Sequence, residues 1–425
     1  MKKIFAATLI SFSLVNFLCA KSISLDEAVS FALEHNVSVE RNEITLSSLE
    51  RSKNHSWNSA SPSISVGAGA TIPTTGESNY DYTYNVNASV SVSLSANLYT
   101  QIRAAKINYE LGKITFDEAL RAVELSVRQS FYALLYEREN IALQESNLSL
   151  AKSQYNTNLA KYNQGRLSEL DVLSAEVNYK AAEPTLENAK ANYQNDLDSF
   201  KQLLGLSLDE DLELSGELSD AAPLSEISVS DSEISSPEIL TLEKKIESAK
   251  NSVLDKRFSA YSPTITARWQ WQDVWTKPDS NGENPKQSSS LSLSATIPLD
   301  GVLPWSQKND AIDSAKDSLR DLELQLSDAK LTLSRNVASS LRTIKQGQAA
   351  VRSKEANVRL ARRSYTMTQE AYNRGTKDLL SLQNAQGSLL SAQQSLRSEQ
   401  FSLAKSILAL ENTLALPFGS LSSSD

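Results

Sequence analysis

Cysteine is almost missing: Cys19 stands alone among 425 residues. A disulfide framework within the chain is therefore excluded. Histidine is nearly as rare, with only His35 and His55, and neither lies in a metal-ligand cluster. Metal-centred and histidine-based catalysis both lose the groups they need. No acid–base pair is clustered as a pocket would require. The chain is therefore expected not to be an enzyme and to carry no cofactor and no metal. Excess basic charge is missing too. The formal charge is -9 and the pI about 5.1, which argues against a nucleic-acid partner. Beyond residue 20 there is no run of 18 apolar residues, so no segment reads as a membrane-spanning helix.

What is present begins with an address. Lys2 and Lys3 precede an apolar run from Ile4 to Leu18, closed by Leu18-Cys19-Ala20. Residues 1–20 read as a secretory signal peptide cut after Ala20. A cut before Cys19, leaving its thiol for a lipid, is the other possibility, and the bulky Leu18 speaks against it. Removal of the peptide takes the formal charge from -9 to -11. A secreted chain without a spanning helix is soluble, surface-attached or a membrane barrel.

The centre of the sequence is a stretch that occurs twice. Tyr155-Asn-Thr-Asn-Leu-Ala-Lys-Tyr162-Asn-Gln-Gly165 returns 210 residues later as Tyr365-Thr-Met-Thr-Gln-Glu-Ala-Tyr372-Asn-Arg-Gly375. Upstream, Val127, Leu134, Ile141, Leu148, Tyr155 and Tyr162 are seven apart, and the same shift gives Val337, Ile344, Val351, Val358, Tyr365 and Tyr372. Downstream, Tyr179, Leu186, Tyr193 and Phe200 become Leu389, Leu396, Leu403 and Leu410. Two apolar seven-residue seams meeting at a glycine turn predict a helical hairpin, present in duplicate. A sustained period of seven makes neighbouring helices coil left-handedly.

Between helices the period drops to two. Ile64, Val66, Ala68 and Ala70 alternate with Ser63, Ser65, Gly67 and Gly69. Val86 to Leu98 alternates with Asn87 to Asn97, Ile265 to Trp271 with Thr264 to Gln270, and Leu291 to Ile297 with Ser290 to Thr296. Each segment has one apolar and one polar face. The polar faces are Ser, Asn and Thr, as a wet lumen requires. Tyr80, Tyr82, Tyr84 and Trp275 flank one end, and Tyr99 and Trp305 the other, as aromatic girdles flank a membrane barrel. A soluble half-buried sheet is the plainer alternative. Four strands cannot close a barrel, and an open edge does not survive in lipid. Two chains would supply about eight strands, too few for a pore; three would supply about twelve. An oligomer follows, with three copies favoured.

The expected plan has two repeats. Residues 21–206 form the first: a helix to about 59, strands about 62–71 and 85–99, a long helix 102–163 and a return helix 168–204. Pro184 should bend that return helix. Residues 207–236 hold nine acids and no Lys or Arg, and read as a solvated linker. Residues 237–416 repeat the order, with strands about 263–272 and 289–299, a long helix 308–373 and a helix 378–414. Residues 417–425 form a fraying tail. Short helices would stack end to end beside each long one. The fold class is mixed α and β: a long antiparallel coiled-coil α-helical barrel plus a transmembrane β-barrel, four strands per chain, closed by trimerisation.

This doubled order resembles the TolC-type outer-membrane efflux protein family over essentially the whole mature chain. The likeness rests on the helix–strand–strand–helix duplication, on Tyr162-Asn-Gln-Gly165 leading to Asp171-Val172-Leu173, and on Tyr372-Asn-Arg-Gly375-Thr376-Lys377. It implies a homotrimer in outer-membrane lipid that extends into the periplasm, a periplasmic adaptor and an inner-membrane pump as partners, and a passive conduit for efflux or type I secretion. By position it also implies a periplasmic gate. Asp171 matches a lock acid, and Tyr372 and Lys377 its partners. Ser381 and Asn384 stand where acids ring the aperture in the best-known member. Lys377 replaces an Arg there and lacks the bidentate fork. The same tip, with Tyr162, Gly165, Arg166, Arg374, Gly375 and Thr376, is where the adaptor would dock. Simple capping is an equal account of Asp171, since Ser168 and Asp171 fit N-cap and N3 of the return helix, and Asp378 fits an N-cap. The alternative from another class is a surface-anchored coiled-coil structural or adhesive envelope protein.

Overall fold

The computed structural model describes residues 21–71, 83–221, 223, 224, 227, 236–276 and 286–421. The signal-peptide segment, Tyr80 and Tyr82 lie outside these residues.

Two helices set the dimensions. α3 (Asn97–Asn163) and α6 (Gln307–Asn373) have 67 residues each, and both ends of α6 follow those of α3 by 210 positions. At 1.5 Å per residue each is about 100 Å long. Beside α3 lie α1 (Leu25–His35), α2 (Val37–Asn54) and the return helix α4 (Glu169–Leu204); beside α6 lie α5 (Pro237–Tyr261) and the return helix α7 (Leu379–Thr413). α3 also packs against α5 and α7. The lateral order is therefore α2 or α4, then α3, then α5 or α7, then α6. The start of α5 meets the end of α7, where Pro237 and Glu238 line one groove with Asn412 and Thr413.

The strands follow the same lateral order. β2 (Ser63–Thr71), β3 (Thr83–Ser95), β5 (Thr264–Thr276) and β6 (Lys286–Thr296) form one antiparallel sheet in the order β2-β3-β5-β6. Its register lines Ile64 beside Val90, Trp269 and Leu291, and Ser65 beside Ser89, Gln270 and Ser290. One face is thus a mostly apolar band, interrupted at Asp273 and Gln287, with Ile64, Val66, Leu291 and Leu293 exposed. The other is a row of hydroxyls and amides, cross-bonded between Ser63 and Ser91 at 2.7 Å and Ser65 and Ser89 at 2.8 Å. Tyr84 pairs directly with Trp275 at the far end of this band.

The seven-residue seams are the core. Val127, Phe131, Leu134, Phe200 and Leu204 form one cluster, and Val337, Ile344, Val351, Leu403, Ile407 and Leu410 form the other, all nearly free of solvent. Each such side chain contributes about 1.5–3 kcal/mol by burial.

Several expectations differ from what forms. The single helix expected up to about residue 59 is two helices and a short 3-10 turn, Ser56–Ala60. Asn36 breaks it: its side chain accepts from the Ser38 N–H and donates to the Leu203 carbonyl, so it both caps α2 and ties it to α4. The strand expected to reach residue 99 ends at Ser95. Asn97 Nδ2 donates to the Asp255 carbonyl and carboxylate and to Ser259, anchoring the start of α3 to the end of α5, so the chain turns there. β5 runs four residues beyond the expected 272, because Tyr84 and Asn85 continue the ladder. α4 is one helix from Glu169 to Leu204 with Pro184, the position where a bend is expected, inside it.

The acidic linker is not simply solvated. Leu212, Leu214 and Leu218 are buried in the α3 core, while Glu213 points out. β4 (Leu212–Leu214) pairs in parallel with β1 (Lys21–Ile23), and Arg138 holds the Leu214 and Gly216 carbonyls. Nor is the tail loose as far as Leu421. Glu411, completely buried, accepts the N–H groups of Gly419 and Leu421, each at 2.9 Å. The Arg121 guanidinium donates to the Leu416 carbonyl at 2.8 Å and lies 4.8 Å from the Phe418 ring.

Candidate functional site

The two hairpin tips lie at the end of the molecule away from the sheet. Each long helix stops the same way. Gly165 has φ of 70° and Gly375 of 76°, a conformation that costs a side chain dearly and glycine nothing. The Arg166 N–H bonds back to Lys161 and the Gly165 N–H to Tyr162; Thr376 bonds to Ala371 and Gly375 to Tyr372. These are paired Schellman motifs, which satisfy the last carbonyls of each helix. The return helices are capped in matching fashion. Ser168 Oγ accepts the Asp171 N–H, and Asp378 accepts the Ser381 N–H at 2.9 Å. The capping account of Asp171 is therefore observed, with Ser168 Oγ also donating to its carboxylate at 2.6 Å.

The repeat is broken at its tyrosines. Tyr162 is 40% exposed, whereas its counterpart Tyr372 is 7% exposed. Tyr372 packs in a small cluster with Tyr155, Ala175, Tyr365, Leu379 and Leu382, which draws side chains from both hairpins. Its hydroxyl donates to Asn158 Oδ1 at 2.8 Å, and Lys161 Nζ stands 4.8 Å from its ring. Burial raises the Tyr372 hydroxyl above its ordinary range and the nearby Asp171 charge adds to this, against its hydrogen bonds with Asn158 and Gln154. Asp171 is thus felt by Tyr372, but among the described residues no hydrogen bond joins the two.

The other expected residues are more dispersed. Lys377 and Asn384 are exposed, Ser381 is half-buried in the first turn of α7, and Arg374 pairs with Glu370 at 2.9 Å. Thr376 Oγ1 turns back onto the Ala371 carbonyl. Arg166 stays on the surface. Among the described residues no group of three His, Cys, Asp or Glu converges as a metal site, and no helix is long and apolar enough to cross a membrane.

The sequence pattern does not single out Asn158, yet it belongs to this site. It has no solvent exposure, accepts from Gln154 Nε2 at 3.1 Å as well as from Tyr372, and its Nδ2 has no partner. An orphaned buried donor costs roughly 1–3 kcal/mol. The signal that could have found it is a second line of the seven-residue pattern, three positions after each seam residue. Gln144, Ala151 and Asn158 occupy that line, and all are buried. Along the same seam Gln386 donates to Asn147 at 2.8 Å and Gln394 to Asn140 at 3.3 Å. The contact between the two hairpins thus includes amide pairs beside the apolar cluster around Tyr372, the stacked Tyr136 and Phe401 rings, and the Arg397–Glu139 ion pair at 2.7 Å.

A helical body of about 100 Å, joined to a sheet greasy on one face and wetted on the other, defines a subunit of a membrane channel. The sequence pattern of the outer membrane efflux protein family matches residues 29–206 and 229–415, and the chain belongs to that family. It is therefore an outer-membrane protein with its helical body extending into the periplasm. Solved structures share the fold. The CmeC outer membrane channel of Campylobacter jejuni is similar at 18% identity and a TM-score of 0.76, covering 94% of this chain and 87% of that one. VceC of Vibrio cholerae is 15% identical with a TM-score of 0.72, covering 93% and 96%. The open state of the Neisseria gonorrhoeae MtrE channel is 17% identical with a TM-score of 0.71, covering 94% and 91%. No curated protein sequence matches the chain.

Proposed function

We propose that three copies of this chain form a passive conduit through the outer membrane, gated at the periplasmic tip and working with a periplasmic adaptor and an inner-membrane pump. The observation that carries this is the pair of unfinished lateral edges. Among the described residues β2 and β6 each have one unpaired side, and α2 with α4 and α6 are the corresponding ends of the helix row. The helical ends carry matching apolar patches. On α2, Val37 and Ile44 are exposed and seven apart; on α6, Leu324 and Leu331 are exposed and seven apart. Leu46 and Leu49 pack over Gly112, which puts Ile44 and Val37 level with about residues 114–117 and 121–124 of α3 by helix rise. The 210-residue shift places those levels at about residues 324–327 and 331–334, which begin at Leu324 and Leu331. A head-to-tail contact of α6 on α2 of the next copy joins the two patches, and β6 to β2 in the same ring.

Within that ring Asp171, Tyr372 and Lys377 are assigned to closure, and Ser381 and Asn384 to the aperture. Neither aperture residue is charged, so a strong cation preference is not expected. Tyr162, Gly165, Arg166, Arg374, Gly375 and Thr376 form the surface an adaptor would meet. The test is single-channel recording from the purified, detergent-extracted protein in planar bilayers. Discrete channels from an oligomer of three support the proposal; a detergent-free monomer that never conducts refutes it.

A further inference from the structure

We infer that Asn158 holds the tip shut by positioning Tyr372, and that this latch is uncharged. The inference rests on the gated-conduit proposal and assigns its closure to a residue outside the charged set. Tyr372 ends the second long helix, one turn before Gly375. Asn158 belongs to the first long helix. Their bond at 2.8 Å is the buried link at the tip between the two hairpins, and both partners are shielded from water.

The duplication shows where the pattern is not repeated in sequence. Tyr162 occupies the same position in its hairpin, and the residue matching Asn158 in the second copy is Thr368. A threonine reaches less far than an asparagine and carries no amide. Tyr162 stays 40% exposed. Within one chain the tyrosine is thus bonded to a buried asparagine in the second hairpin, whereas Tyr162 lies in the hairpin at the lateral edge that the next copy is proposed to meet.

The charged candidates do not make this link. Asp171 is engaged by Ser168 at its own helix start, and Lys377 is exposed. Asn158 also leaves Nδ2 unpaired in this structure. A latch with one unsatisfied donor is poised: opening lets water reach that donor. Because neither partner is ionised, salt should not loosen it, whereas exposed ion pairs weaken as salt rises.

The test is the fraction of time the full mature oligomer spends open in planar bilayers. Asn158→Ala and Tyr372→Phe should each raise it roughly five-fold, the equivalent of ~1 kcal/mol for one hydrogen bond. The double variant should open no more than the stronger single one, since both remove the same bond. The rise should be equal at about 0.1 M and about 1 M salt. Gln154→Ala, which keeps both partners, should give a smaller rise and serves if a buried variant fails to assemble. Additive effects, a salt-dependent rise, or normal channels unchanged by any variant would overturn the latch alone. Failure of the wild-type protein to conduct would instead remove the conduit proposal and the latch with it.

Discussion

At the residue scale, burial decides what a side chain does. Glu137 on α3 shows this away from the tip. Its carboxyl is raised to about 7, first by burial and then by the hydrogen bond and charge of Asp196. A carboxyl raised above its ordinary value of 4.5 binds a proton more tightly in the fold. Its contribution is fully present below 4.5 and disappears as pH rises through about 7. Glu137→Gln keeps the shape and removes the titration. Melting of the solubilised protein should therefore be higher than wild type at pH above 7 and nearly equal to it at pH below 4.5. A variant that gains nothing on the alkaline side would show that Glu137 is not held protonated.

At the element scale, capping and strapping explain how long helices of low apolar content hold a fixed register. Tandem Schellman turns fix where α3 and α6 stop, and Ser168 and Asp378 fix where α4 and α7 begin. The linker and the tail then tie these helices together at mid-height. Removal of residues 417–425 would strip Glu411 of the two N–H groups it accepts and uncover Arg121. Such a buried carboxylate left without donors costs on the order of 2 kcal/mol or more, and chemical denaturation of the truncated chain should register that loss. Pro184 offers the opposite sign. It interrupts the hydrogen-bond ladder inside α4, so Pro184→Ala should stabilise the protein by up to ~3 kcal/mol. Unchanged stability would mean that the surroundings already relieve the defect.

At the scale of the whole molecule, helices and strands share one lateral order, which leaves the two edges of the chain to be met by another copy. The proposed seam makes a specific demand. Leu324→Asp together with Leu331→Asp should place two carboxylates against Val37 and Ile44 of the next copy. Each burial of an unpaired charge costs several kcal/mol, so the ring should dissociate. Light scattering of the detergent-extracted variant should then report monomers where the proposed wild-type ring would give trimers. An intact trimer would move the seam elsewhere.

The amino-acid order by itself determined the repeat, the seven-residue seams, the four amphipathic strands and the glycine stops, because each is written in local periodicity that the backbone must obey. The positions of Gly165, Gly375, Ser168 and Asp378 were legible for that reason. Tertiary structure alone decided that Asn36 breaks a helix, that Leu212 and Leu214 make a strand with Lys21–Ile23, that Glu411 captures the tail, and that Tyr372 meets Asn158 rather than Asp171. These depend on partners from 8 to 214 positions away in the sequence, and no local period records which distant donor an acceptor will meet.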